Sequence, residues 1–234
     1  MADVVTCFLR ERGEILLARR SDAVGTYRGH WAGISGYVEG DPEDAERDAR
    51  RELREEVGLT AADLELLDAG DPLSVDDAEG SFTVHPFLFD SGTRDVTTNE
   101  ELAAVEWVDP TEIRRRETVP RLWETWRRVA PTVETVREDR THGSAWIAAR
   151  ALEVLRDAAV AADGWDDVAA TGRALRAARP GMAAVGNRVN RVLADVVSGA
   201  PESDPVCQST AAATPDPDTV VDRAIEALDA ALEA

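Results

Sequence analysis

The chain has no lysine. All 26 of its basic residues are arginine, set against 46 acidic ones, and the formal net charge is −20 over 234 residues. Such a field repels polyanions over most of the surface, which excludes nucleic acid and membrane surfaces as partners. Cysteine is nearly absent too. Cys7 and Cys207 lie far apart in no recognisable spacing, which leaves no disulfide framework and no zinc site and fits a reducing cytosol. No apolar run approaches the roughly 20 residues a membrane span needs. The apolar stretch in MADVVTCFLRERGE is too short for a secretory signal. The expectation is a soluble, cytoplasmic protein. Acidity of this degree can mark disorder, but 44% hydrophobic residues in periodic patterns argue for a folded chain adapted to very high salt, as in a halophile.

Strand and helix signals mix over residues 1–118. Val4 to Arg10 and Glu14 to Arg20 flank Arg12-Gly13 and predict a hairpin. His30 to Glu39 is punctuated by glycine, as a strand closely approached by another group would be. LELLDA, FTVHPFLF and AAVEWV are further strand candidates. Asp109, Pro110 and Glu112 then carry the signals of a helix start with a capping box. From about Pro120 strand signals vanish and apolar residues recur at three- and four-residue spacing. The expected architecture is an α+β domain over 1–118, a connecting helix over 119–130 and an all-α domain over 131–234. Within the last, Ser198 to Pro217 reads as a flexible acidic loop holding Cys207, which is not promoted to a catalytic thiol.

The chemistry-bearing segment begins at Asp41-Pro42-Glu43-Asp44, an acidic cap with proline at the first helical position. Gly58 supplies the stop, so a helix is predicted from about Pro42 to Val57. On it Glu52 and Glu56 lie about 40° apart and Glu55 about 60° to the other side of Glu52. Three carboxylates, with neighbours about 5–6 Å apart, therefore share one sector. Like charges that close call for a counter-cation, and hard carboxylate oxygens suit Mg²⁺ or Mn²⁺ carrying substrate phosphates. A Glu-Glu pair on a solvated helix face is ordinary in so acidic a chain; the order of the surrounding residues is not.

Arg51 to Leu59, RELREEVGL, resembles the core of the Nudix box, R-E-U-x-E-E-x-G-U with U aliphatic, at every specified position. Glu43 precedes Arg51 by the spacing of that box, and WAGISGYVE resembles the strand and loop that enter it. The box glycine expected six positions before Glu43 falls at Tyr37, with Gly36 one step earlier, which a one-residue insertion in the Gly40-Asp41 loop explains. The resemblance implies the Nudix fold, a mixed sheet between helices, and Mg²⁺-dependent hydrolysis of a diphosphate in a nucleotide or phosphosugar substrate. By it Glu52, Glu55 and Glu56 hold metal, Arg51 orients a glutamate, and Gly36 and Glu39 meet the substrate. The general base stays open between a box glutamate and Glu100 or Glu101 in the TTNEEL loop. His85 is expected as a packed strand residue rather than a base. The alternative is a non-catalytic module that senses a nucleotide or sugar phosphate and regulates a partner domain.

The helical half is similar to the N-terminal region of the alpha, beta and delta subunits of translation initiation factor 2B and of ribose-1,5-bisphosphate isomerases. The similarity rests on Gly143-Ser144 opening a helix, the Arg179-Pro180 break and Asn187. In that family the catalytic residues lie in a later Rossmann-like lobe, and this chain is expected to stop about where that lobe would begin. The expectation is a fragment of a longer fusion, or a half that serves binding and homo-oligomeric assembly, with the amides after Gly143 able to receive a phosphate.

Overall fold

In the computed structural model, which describes residues 1–199 and 215–232, the chain divides into two compact units, 1–130 and 131–234. The Ser198–Pro217 loop with Cys207 falls largely outside the described residues.

The first unit is a mixed sheet between helices. β1 (Ala2–Glu11) and β2 (Glu14–Arg20) form the expected hairpin, closed by Arg12 and Gly13, both at positive φ (51° and 83°). β1 then leaves β2 to pair antiparallel with β4 (Ile34–Tyr37) and, on its other side, parallel with β7 (Gly80–Ser91). β5 (Leu64–Ala69) and β6 (Leu73–Asp77) pair with β7, while β3 (Trp31–Ala32) and β8 (Leu102–Val108) pair with β2. β6 was not among the expected strands; the burial of Leu73 and Val75 against Val84 is what holds it to β7.

Alternation along β1 assigns its two faces. Val5, Cys7 and Leu9 pack with Ala45, Ala49, Leu53 and Val57 of α1 (Ala45–Val57). Phe8 faces the other way, meeting Trp126 edge-on at 5.3 Å. Trp126 belongs to α2 (Leu122–Arg127), and Leu122, Val129 and Ala130 enter the same core. Residues 119–130, expected as a connecting helix, are thus part of the first unit, because their apolar stripe has a sheet face to cover. The segment after Asp109 makes only a 3₁₀ turn (Pro110–Arg114); the Asp109 carboxylate accepts from the Thr111 amide and Glu112 is taken by Arg115 and Arg116.

The second unit is all-helical among the described residues: α3 (Val133–Glu138), α4 (Ser144–Ala161), α5 (Trp165–Ala178), α6 (Ala183–Gly199) and α7 (Pro217–Leu232). α4 is buried nearly all round from Ile147 to Asp157, which makes it the central element. It carries charge into that core in short-range pairs, Arg150–Glu153 at 2.7 Å and Arg156–Asp157 at 2.8 Å. Gly143 caps α4, and Arg179, after α5, donates to the carbonyls of Val136 and Asp139. No helix among the described residues is long and apolar enough to cross a membrane.

Candidate active site around the glutamate helix

α1 is entered through a 3₁₀ turn (Pro42–Asp44) capped by Asp41, whose carboxylate accepts from the Glu43 amide. It ends where Gly58, at φ 74°, lets the Gly58 and Leu59 amides reach the carbonyls of Arg54 and Leu53. With both ends fixed and Leu53 and Val57 locked in the core, the glutamate sector has one orientation toward β1 and β4.

Glu52 and Glu56 are drawn inward, while the Glu55 side chain is half exposed. Glu52 lies against the backbone of Gly36: a Cβ added there would stand 2.1 Å from its carboxyl carbon. This close approach is the reason for glycine in β4, and Gly33 plays the same part over the carbonyl of Cys7, 2.7 Å from where a Cβ would be. Burial pushes the Glu56 carboxyl up to about 8, reinforced by the charges of Glu52 and Glu101 and opposed by Arg20. Glu52 is raised as well, by burial first, with Arg51 opposing and Glu55, Glu101 and Glu39 adding. The Cys7 thiol beneath them is held well above its ordinary value by burial and by the charges of Glu56 and Glu52.

Arg51 ties the neighbourhood together. Its Nη2 donates to Glu52 Oε1 (2.8 Å) and to the Tyr37 carbonyl (2.9 Å), and its other arm pairs with the Glu39 carboxylate. Asp48, which the sequence reading did not single out, is buried and accepts from the Glu39 amide at 3.0 Å. Its signal was available: an acid three residues before Arg51, on the Ala45–Ala49 face that must be buried. Arg47 completes the clasp by donating to the Glu39 carbonyl.

Beside Gly36 opens a cavity of about 100 Å³, its walls mostly apolar: Val4, Val75, Phe82 and Val84, with Tyr27, Tyr37 and Arg20 at its polar margins. Arg20 sits at a register shift in β2, donates to the Thr26 carbonyl, lines the cavity and acts by its charge on Glu56. Tyr27, at φ 51°, donates to Asp77 at 2.8 Å.

Of the residues singled out from sequence, the structure brings Arg51, Glu52, Glu55, Glu56, Gly36 and Glu39 into one neighbourhood. Glu101 joins through its charge on Glu52 and Glu56. Glu100 is exposed and gives its backbone carbonyl to the Ser21 hydroxyl. His85 is a strand residue bonded to Asp3 at 2.8 Å. Among the described residues no three His, Cys, Asp or Glu side chains already converge on one point as ion ligands. The donor chemistry nonetheless fits a hard divalent cation: buried Glu56, part-buried Glu52 and the exposed Glu55 and Glu101 act on one another as four carboxylates, against the two guanidiniums of Arg20 and Arg51.

The NUDIX domain family model matches residues 1–129 and ends before the helical unit. No curated protein sequence matches the chain. Among solved structures, Ap4A hydrolase from C. elegans is 20% identical, with a TM-score of 0.46 over 55% of this chain and 94% of that one. A MutT protein from Methanosarcina mazei Go1 is 30% identical, with a TM-score of 0.45 over 55% and 91%. The NUDIX domain of NrtR from Shewanella oneidensis, solved with ADP ribose, is 16% identical, with a TM-score of 0.44 over 55% and 85%.

Proposed function

The chain belongs to the Nudix family of pyrophosphohydrolases, and from that premise we propose that it cleaves a diphosphate bond in a small nucleoside-linked or related substrate with Mg²⁺, or Mn²⁺ in its place. The observation that carries this reading is part-buried Glu52 beside buried Glu56, which with Glu55 and Glu101 make four carboxylates against the two guanidiniums of Arg20 and Arg51. Glu52, Glu55 and Glu56 would hold the metal. When bound, it supplies positive charge to the diphosphate and lowers the cost of ionising a water. Arg51 fixes the Glu52 carboxylate and, through Glu39 and the Tyr37 carbonyl, the loop entering α1. Glu101 is the group we assign as general base in preference to Glu100, since it is the one whose charge reaches both Glu52 and Glu56.

An intact RELREEVGL favours an enzyme over a sensing module, because a sensor has no need of every ligand. We assign the helical unit a binding or assembly role like that of the initiation factor 2B N-terminal region, on the strength of the helix entry at Gly143-Ser144 and the interruption between α5 and α6 at Arg179-Pro180. The purified protein, screened with Mg²⁺ in molar KCl against ADP-ribose, dinucleoside polyphosphates and nucleoside triphosphates, is expected to turn over at least one of them; no turnover on any would count against the proposal.

High salt is part of that assay for a reason. With a net charge of −20, self-repulsion spreads across the molecule once the Debye length grows to about 30 Å in dilute buffer. The melting temperature should therefore rise by ten degrees or more between dilute buffer and molar KCl. An unchanged value would remove the case for salt adaptation.

A further inference from the structure

In a chain of net charge −20, the helical unit holds positive charge that its own carboxylates leave unbalanced. Val192 and Val196 of α6 and Val221 and Leu228 of α7 are buried in the core around α4, which fixes the two helices against each other. Between them lies a cavity of about 280 Å³, lined by the side chains of Arg188, Arg191 and Arg223 and by Asp195 and Glu226.

Arg223 has its counter-charges. It pairs with Glu226 at 2.6 Å, and the charge of Asp195 acts on it as well. Arg188 and Arg191 have none. Among the described residues neither guanidinium makes a hydrogen bond or an ion pair, and Nη1 of half-buried Arg188 is closed off from solvent with no acceptor. A donor hidden from water without an acceptor is costly and rare in native proteins. The two arginines also stand three residues apart on α6, where like charges repel. A water molecule would take the hydrogen bond and leave both charges in place. An anion removes both costs at once.

We propose that the cavity between α6 and α7 binds a phosphate monoester, a small molecule carrying one terminal phosphate. At neutral pH such a group carries close to two negative charges, which matches Arg188 and Arg191, and its three oxygens suit the fork of a guanidinium better than a lone carboxylate or chloride does. Ala227, Ala230 and Ala231 leave an apolar patch beside the arginines for the carbon part. The volume lies just below the roughly 300–1,000 Å³ of pockets that enclose a drug-sized molecule, so that part is a few atoms long. The site belongs to the helical unit, needs no metal and does not depend on the chemistry of the glutamate helix.

The test is calorimetric titration of the full chain with glycerol 3-phosphate, and separately with glycerate, in EDTA and molar KCl. Exposed charges are screened there, and a partly buried site keeps more of its affinity. Wild type is expected to bind glycerol 3-phosphate and to bind glycerate, the singly charged counterpart, at least about tenfold more weakly. Arg188→Gln and Arg191→Gln should each weaken glycerol 3-phosphate about tenfold or more while leaving Mg²⁺-dependent hydrolysis unchanged. Because an unbalanced charge is a cost, ligand-free Arg188→Gln should melt no lower than wild type; Arg191 is exposed, so its variant tests the site even where Arg188→Gln folds poorly. Glu56→Gln should bind glycerol 3-phosphate as wild type does. The proposal is overturned if wild type does not bind it, if glycerate binds equally well, if neither arginine variant weakens it, or if Glu56→Gln abolishes binding and so places the ligand at the glutamate helix.

Discussion

Glu56→Gln is expected to reduce hydrolysis on the order of 10²- to 10³-fold while making the metal-free protein more stable at alkaline pH. The two effects share one cause. Glu56 is buried, and its carboxyl is pushed up to about 8 by that burial and by Glu52 and Glu101. An ordinary glutamate in the unfolded chain titrates near 4.3. Between these values the folded state holds the proton more tightly, so the group's stabilising contribution is complete below about 4.3 and is lost as pH rises through 8. In EDTA, wild type should therefore lose stability from pH 5 to 8.5, by at most a few kcal/mol. Glu56→Gln, which keeps the shape without the charge, should lose less. A bound cation reverses the balance: the ionised form becomes the useful one, and removing it takes away part of the charge that steadies the transition state. Thermal melts in EDTA at the two pH values, paired with initial rates in Mg²⁺, check both halves. Equal pH slopes for the two proteins would mean that Glu56 is not the buried, proton-holding group described.

Gly36→Ala is expected to cost about 100-fold in rate. The added methyl would stand 2.1 Å from the carboxyl carbon of Glu52, a contact no real Cβ makes, so either the Glu52 side chain leaves its place or β4 moves away from α1. A displacement of about 1 Å in a reaction centre costs on the order of 10²-fold. Gly92→Ala, whose Cβ would meet only the Asp63 carbonyl at an ordinary 3.7 Å, is the control and should keep both rate and stability. Near-normal turnover by Gly36→Ala would mean that the fit of Glu52 against β4 has no part in catalysis.

What the sequence made legible, and what it did not, follows from the range of the interactions. α1 was readable to its ends because caps and stops act within a turn: Asp41 and Pro42 at one end, Gly58 at the other. The acidic sector was readable because helix geometry converts spacing into angle. The burial of Glu56 was not, since it depends on β1 passing beneath α1 with Cys7 under the glutamates. Glu100 and Glu101 were both readable as candidate bases, but that the charge of Glu101 is the one that reaches Glu52 and Glu56 depends on the loop before β8 folding back across a long stretch of chain. β6 escaped because its strand character comes from its neighbour β7, and 119–130 was taken for a connector because nothing local marks Trp126 as the partner of Phe8. In the helical unit the segments were plain from their periodicity. That α4 is the buried centre was hidden by Arg150, Glu153, Arg156 and Asp157, which look like a solvated face and are instead paired in the core.

The central claim is that the glutamate helix works through a divalent cation. Its most direct test is the rate of cleavage of the best substrate as a function of free Mg²⁺, from EDTA upward, for wild type, Glu55→Gln and Glu56→Gln. Wild type should be inactive in EDTA and rise to saturation with Mg²⁺, and each variant should need markedly more Mg²⁺ and reach a far lower plateau. Full turnover by wild type in EDTA, or variant curves that overlay wild type, would contradict it.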